Sequence, residues 1–105
     1  MERKEIEEKI NGIAKQIVEK YQPIKIVLFG SGAKSKGDVN DIDLILIKED
    51  VPYYGAERMR ELYCLIETDI AVDFLVYKPH EWKKRLIMGD PFVKQIERKG
   101  KVLYG

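Results

Sequence analysis

The chain has 105 residues, of which 45% are hydrophobic and 35% charged, and this length suits one domain with a single core over residues 1–105. Lysine and arginine (19) nearly balance aspartate and glutamate (18), so the net charge of +1 argues against a protein that binds polyanions with its whole surface. The single cysteine, Cys64, excludes an intrachain disulfide and a cysteine-based metal site. No apolar run approaches the roughly 20 residues of a membrane span, and the N-terminus lacks the apolar stretch of a signal peptide, so we expect a cytoplasmic protein without a membrane partner.

The first half of the chain predicts one helix and two strands. Apolar residues at steps of three and four between charges predict an amphipathic helix over 2–20. A β-branched and aromatic run predicts a first strand over 24–29, and small polar residues over 30–40 predict a loop with a short helical turn. A second strand follows over 41–47.

The second half predicts a helix, a third strand and two short helices. The helix spans 54–67, and the strand spans 70–77. Trp82 and the apolar residues that follow it predict a short helix that ends at Gly89, and a further helix ends at Gly100. Residues 102–104 are a candidate edge strand. The order of elements predicts an α+β fold in which helices pack on a small mixed sheet.

The most informative feature is a pair of carboxylates, Asp41 and Asp43, at the start of the second strand. Residues i and i+2 of a strand project from the same face, so two like charges lie close together there and repel each other. A divalent cation between them converts that repulsion into ligation, and Mg²⁺ prefers such oxygen ligands. Because Ile45 and Ile47 continue the same face, the predicted site lies at one end of the sheet.

A third carboxylate, Asp73, lies inside the apolar third strand. An ionisable group in such a strand is unfavourable unless it is paired or ligated. If the second and third strands are neighbours, Asp73 lies beside the other two and can help to hold a metal ion or accept a proton from an attacking hydroxyl. Asp69 is a competing third carboxylate, but it falls where a turn is expected.

The first strand ends at Gly30 and Ser31, which supply the other half of the predicted site. Glycine allows a close approach of the backbone, and a hydroxyl with free N–H groups at the start of a turn can bind phosphate oxygens. A phosphate-binding turn that faces a metal site is the arrangement that phosphoryl or nucleotidyl transfer requires.

Three segments, 28–31, 33–34 and 41–44, resemble the signature of the DNA polymerase β-like nucleotidyltransferases. They are most similar to the minimal nucleotidyltransferases encoded beside HEPN-domain proteins. The resemblance implies the nucleotidyltransferase fold and the transfer of a nucleoside monophosphate, usually AMP from ATP, to an acceptor hydroxyl, with two Mg²⁺ ions as cofactors. It also implies a HEPN-domain partner, and in some members an antitoxin that adenylylates a tyrosine of that partner.

By the same resemblance, Gly30, Ser31 and Lys34 bind the nucleotide, and the metal-binding and catalytic carboxylates are Asp41, Asp43 and Asp73. The chain departs from the family pattern in the loop between these groups. Only nine residues separate Ser31 from Asp41, and Lys34 replaces an arginine, so the charge is kept but the bidentate fork is lost.

Two other functions are compatible with the residues. The shortened loop is compatible with a binding module that neutralises a partner by occlusion, with weak or no catalysis. Residues 78–105 hold eight basic and three acidic side chains, which form either a solvated face, the favoured interpretation, or a contact for RNA in a protein that modifies nucleic-acid ends. Tyr53 and Tyr54 either cover the sheet, the favoured interpretation, or stack on a nucleobase.

Overall fold

A computed structural model describes residues 2–30 and 41–105, with Asp41 described by its backbone alone. The described residues form helices and strands in the following order: α1 (Arg3–Lys20), β1 (Lys25–Phe29), β2 (Asp41–Ile47), α2 (Gly55–Leu65), β3 (Ala71–Tyr77), α3 (Pro79–Ile87), α4 (Pro91–Lys99) and β4 (Lys101–Tyr104). The predicted turn near Ser31 lies outside the described residues.

The four strands form one mixed sheet in the order β3-β2-β1-β4. β1 is antiparallel to both β2 and β4, whereas β2 and β3 are parallel and are joined through α2. The predicted α+β class is therefore confirmed, and so are the neighbouring positions of the second and third strands and the edge strand at the end of the chain.

One face of the sheet is covered by α1 and α2. The four isoleucines of α1 recur at steps of three and four, and all four are buried: Ile6, Ile10, Ile13 and Ile17. They pack in one cluster with alternate residues of the central strands, including Ile26, Leu28 and Leu44. The period of the α1 sequence thus matches the face that it buries.

The other face of the sheet carries a smaller cluster built from Val27, Ile45, Ile47 and Ile96. Ile96 comes from α4, and Trp82 of α3 packs against the cluster's edge. Both faces of β2 are therefore buried beyond its start, which explains its nearly continuous apolar sequence.

Two helices differ in detail from their predicted apolar stripes. In α2, Leu62 is buried, but Tyr63 is exposed, and its hydroxyl donates a hydrogen bond of 2.9 Å to the carbonyl of Val72. In α3, Trp82 contacts the ring of Tyr77, whereas Ile87 is 74% exposed. Both helices are present, but the apolar pattern did not determine which side chains are covered.

Tyr53 and Tyr54 do not cover the sheet. They are 84% and 64% exposed, and their rings contact each other edge to face at 5.0 Å between centroids. Because they follow the last residue of β2, they lie at the opposite end of the sheet from Asp43. The expectation that they cover the sheet was wrong, and their position gives no support to a role at the predicted site.

Arg58 is a buried cation that joins α2 to three neighbouring segments. Its guanidinium donates hydrogen bonds to the carbonyls of Pro52, Tyr53 and Val76, and it forms an ion pair of 2.7 Å with Glu81 of α3. The hydrogen bond from Arg58 is the main cause that lowers the pKa of Glu81 to about 2. Within the described part of the chain, no helix is long and apolar enough to cross a membrane.

Candidate active site

Two of the predicted carboxylates meet at one end of the sheet. The parallel register of β2 and β3 places Asp43 directly beside Asp73. Paired residues of adjacent strands share a face, and the strands lie about 4.8 Å apart, so the side chains of Asp43 and Asp73 leave the same face of the sheet at adjacent positions. Ile45 of the smaller apolar cluster lies on the same face of β2, two residues after Asp43. Asp43 therefore lies just beyond the end of that cluster. Asp43 is half-buried and Asp73 is exposed.

Gly30 lies against the carboxylate of Asp43 from the other side. Phe29, the last residue of β1, pairs with Asp43 across the antiparallel register, and Gly30 follows it with φ +71°. A Cβ atom on Gly30 would lie 2.7 Å from Oδ2 of Asp43. Two features therefore favour glycine at position 30: its left-handed backbone conformation, and the Asp43 carboxylate in the place that a Cβ atom would need.

The competing carboxylate, Asp69, is held away from this site by α1. Both of its oxygens accept hydrogen bonds from the ammonium of Lys9, at 2.7 and 2.6 Å. These bonds are the main cause that lowers the pKa of Asp69. Asp73 lies near Tyr63 of α2: burial raises the pKa of the Tyr63 hydroxyl, and the negative charge of Asp73 raises it further. Of the two candidates, Asp73 is the one that lies beside Asp43.

The remaining predicted site residues are only partly visible. Asp41 begins β2 and pairs with Ala71, but its side chain lies outside the described residues, as do Ser31 and Lys34. Among the side chains that the structure describes, no group of three or more His, Cys, Asp or Glu residues is arranged to hold a metal ion. The full set of site residues thus stays a prediction. The structure describes one part of it, the pairing of Asp43 with Asp73 in adjacent strands.

The family described as "Polymerase beta, Nucleotidyltransferase" matches residues 8–105 of the chain. The chain belongs to this nucleotidyltransferase family. No curated protein and no solved structure matches it. The fold named by the resemblance is confirmed, and the general reaction of the family is nucleotidyl transfer.

Nucleotidyltransferases generally use Mg²⁺ and a nucleoside triphosphate, and the described residues of this one fit a divalent cation. Asp43 and Asp73 offer carboxylate oxygens side by side on one sheet face. Mg²⁺ takes one or two carboxylates of this kind together with substrate phosphates. Gly30 leaves room beside the Asp43 oxygen that any larger residue would fill.

The sequence interpretation missed a cavity of about 450 Å³ beside this site, between the end of β1 and α4. Gly30 belongs to both the cavity and the carboxylate site. On α4 the lining residues Phe92, Gln95 and Lys99 recur at helical spacing, so they share one face of the helix. That spacing was the available signal, but a glutamine and a lysine on a surface helix are ordinary, and only the adjacency to Gly30 distinguishes them.

Proposed function

We propose that this nucleotidyltransferase transfers AMP from ATP, with two Mg²⁺ ions, to the hydroxyl of an acceptor. The proposal rests on one observation, the register that pairs Asp43 with Asp73 next to Gly30. Like charges on adjacent strands are destabilising unless something positive lies between them. A cation held between Asp43 and Asp73 would relieve that repulsion, and carboxylate oxygens are the ligands that Mg²⁺ prefers.

In this proposal the residues of the chain have distinct tasks. Gly30, Ser31 and Lys34 hold the triphosphate, and Asp41, Asp43 and Asp73 hold the cations. When bound, Mg²⁺ would neutralise charge on the phosphate oxygens. A carboxylate oxygen of Asp73 takes the proton of the acceptor hydroxyl, while the hydroxyl oxygen forms a bond to the α-phosphorus. The bond from that phosphorus to the oxygen that bridges the α- and β-phosphates breaks, so that pyrophosphate leaves.

The acceptor that we propose is a HEPN-domain partner protein in the cytoplasm, with this chain acting as its antitoxin. The resemblance to the minimal nucleotidyltransferases supports this partner. The position of Asp73 also supports it, because Asp73 is exposed and lies on β3, an edge strand of the sheet. A hydroxyl carried by a macromolecule can approach an exposed carboxylate at an edge without entering a deep cleft.

The direct test incubates the protein with ATP labelled at the α-phosphate, Mg²⁺ and the HEPN-domain protein encoded beside it. We expect label on the partner, and Asp43→Asn and Asp73→Asn should each abolish its transfer. Asp69→Asn is the matched control, because Asp69 is an exposed aspartate that pairs with Lys9 of α1 and not with the candidate site. Full transfer by Asp43→Asn would contradict the site. Tight binding of the partner without label would favour occlusion instead.

RNA is the second candidate acceptor, because the basic side chains of α3 and α4 are exposed. They belong to the helices that pack on the same sheet face as Asp43: Lys83, Lys84, Arg85, Lys94, Arg98 and Lys99. If RNA is the acceptor, the label should appear on an RNA end, and binding should weaken steeply with added salt. Salt-independent binding would exclude this acceptor.

A further inference from the structure

The cavity between β1 and α4 lies directly beside the proposed phosphate site. It holds about 450 Å³, within the range of small-ligand pockets, and its lining residues are Phe29, Gly30, Phe92, Gln95, Ile96, Lys99 and Gly100. Gly30 also lies against the carboxylate of Asp43, so one lining residue of the cavity adjoins the carboxylate site. A molecule whose phosphates lie over Gly30 therefore has a space of ligand size next to them.

The wall of the cavity suits a flat heteroaromatic group. Phe29 and Phe92 are perpendicular, with ring centroids 5.6 Å apart. Phe92 is 38% exposed, so part of its ring remains accessible to a ligand. Ile96 supplies a buried apolar floor. Aromatic rings bind a nucleobase by stacking or edge contacts, and such contacts tolerate any base.

Two polar side chains of α4 favour one orientation of a nucleotide in this cavity. Gln95 is exposed and carries both a donor and an acceptor on its amide, the pair that matches the adjacent acceptor and donor on an edge of adenine. Lys99 follows one turn later and lines the cavity together with Gly30. Its positive charge on the cavity wall would attract the phosphates of a nucleotide, which the nearby carboxylates repel.

We propose that this cavity binds the adenosine of the nucleotide substrate, with Phe92 contacting the base, Gln95 reading its hydrogen-bonding edge and Lys99 approaching the phosphates. This inference rests on the proposed function for the identity of the ligand. It adds a direction to the site: the base lies over β1 and α4, the phosphates lie over Gly30, and the acceptor approaches from the β3 side at Asp73.

The first experiment is a titration of the ¹⁵N-labelled protein with adenosine and then with uridine, without Mg²⁺ or any acceptor. We expect adenosine to shift the side-chain amide signals of Gln95 and the signals of residues around Phe92. Gln95→Ala should raise the Kd for adenosine about tenfold, the loss of one good bidentate contact. Lys94→Ala is the matched control on the same exposed helix, since Lys94 does not line this cavity; its Kd should change less than about twofold.

The outcomes separate this inference from the proposed function. Adenosine binding at Gln95 by a protein that transfers no label would keep the pocket and overturn the proposed reaction. Label transfer with an unchanged KM for ATP in Gln95→Ala would keep the reaction and overturn the pocket. Equal affinity for adenosine and uridine would overturn the reading of the base by Gln95. Phe92→Leu removes the ring but keeps an apolar side chain, so it should weaken adenosine binding; an unchanged Kd for adenosine would overturn the contact between Phe92 and the base.

Discussion

Replacing Gly30 by alanine tests the link between the backbone of β1 and the carboxylate of Asp43. The new Cβ would lie 2.7 Å from Oδ2 of Asp43, whereas ordinary contacts begin at 3.4 Å. The obstructing atom is the end of a side chain, so the carboxylate can withdraw by about 0.7 Å instead of the backbone moving. We therefore expect the main consequence in catalysis and not in folding.

The two effects have different sizes. An alanine in a left-handed conformation costs about 1–2 kcal/mol of stability. A shift of about 0.7 Å is several times the tolerance of about 0.2 Å for a metal ligand. Since a misplacement of about 1 Å can reduce a rate about 100-fold, we expect kcat/KM for AMP transfer to fall about 30- to 100-fold in Gly30→Ala.

Gly89→Ala is the matched control for the backbone effect. Gly89 has φ +81°, close to the +71° of Gly30, but no atom lies within 4 Å of the position that its Cβ would take. Urea unfolding should therefore give similar losses of stability for the two variants, while only Gly30→Ala loses transfer activity. Activities measured well below the unfolding midpoint remove any contribution from unfolded protein.

Equal kcat/KM values in Gly30→Ala and Gly89→Ala would refute this reasoning, because the approach of Gly30 to Asp43 would then have no catalytic meaning. A loss of stability in Gly30→Ala that exceeds the loss in Gly89→Ala by more than about 2 kcal/mol would refute the expectation that the substitution affects catalysis and not folding. It would mean that the Asp43 carboxylate cannot move away.

Four further predictions concern stability and are measured by urea unfolding. Arg58→Met should lose about 2–3 kcal/mol, because buried carbonyls and a carboxylate lose their donor, whereas Arg60→Met, an exposed change on the same helix, should stay within about 0.5 kcal/mol; equal losses would contradict the role of Arg58. Since the pKa of Glu81 is lowered from 4.5 to about 2, its stabilisation is complete above pH 4.5 and is lost as the pH falls towards 2. Arg58→Met should flatten that dependence, and an unchanged slope would contradict it. Gly12→Ala should gain about 0.5–1 kcal/mol, because the helix loses its glycine and no atom lies within 4 Å of the new Cβ; a loss would contradict the exposure of this site. Tyr21→Phe should be neutral or gain up to about 1 kcal/mol, since the buried Tyr21 hydroxyl has no hydrogen-bond partner among the described residues; a clear loss would indicate an undescribed partner.

The elements with a strong period were predictable from the sequence. The strand over Asp41–Ile47 has its predicted bounds, because two polar residues at its start and an apolar run after them leave one extended interpretation. The isoleucines of α1 likewise predict the helix and the face that it buries. Side-chain period is a local property of the chain, so it can be read without knowing what packs against it.

The weaker patterns were predicted less well because they depend on partners. The helix α3 exists, yet Ile87 is exposed, whereas Trp82 of the same helix packs against the smaller cluster on the sheet. The burial of Arg58 was not predictable either, because the carbonyls that it satisfies come from segments distant in sequence. Neither the exposed apolar residue nor the buried cation has a local signature.

For the site, the sequence by itself determined the chemistry: a glycine at the end of one strand, an Asp-x-Asp at the start of the next and a further aspartate on the third. Only the tertiary structure decided which of them meet. The parallel pairing of β2 with β3 sets Asp73 beside Asp43, while the contact with Lys9 of α1 holds Asp69 elsewhere. The tertiary structure also places α4 over the end of β1, and the cavity beside Gly30 lies between them. The physical reason is that residue type and period act along the chain, whereas strand register and helix packing are set by contacts between residues far apart in it.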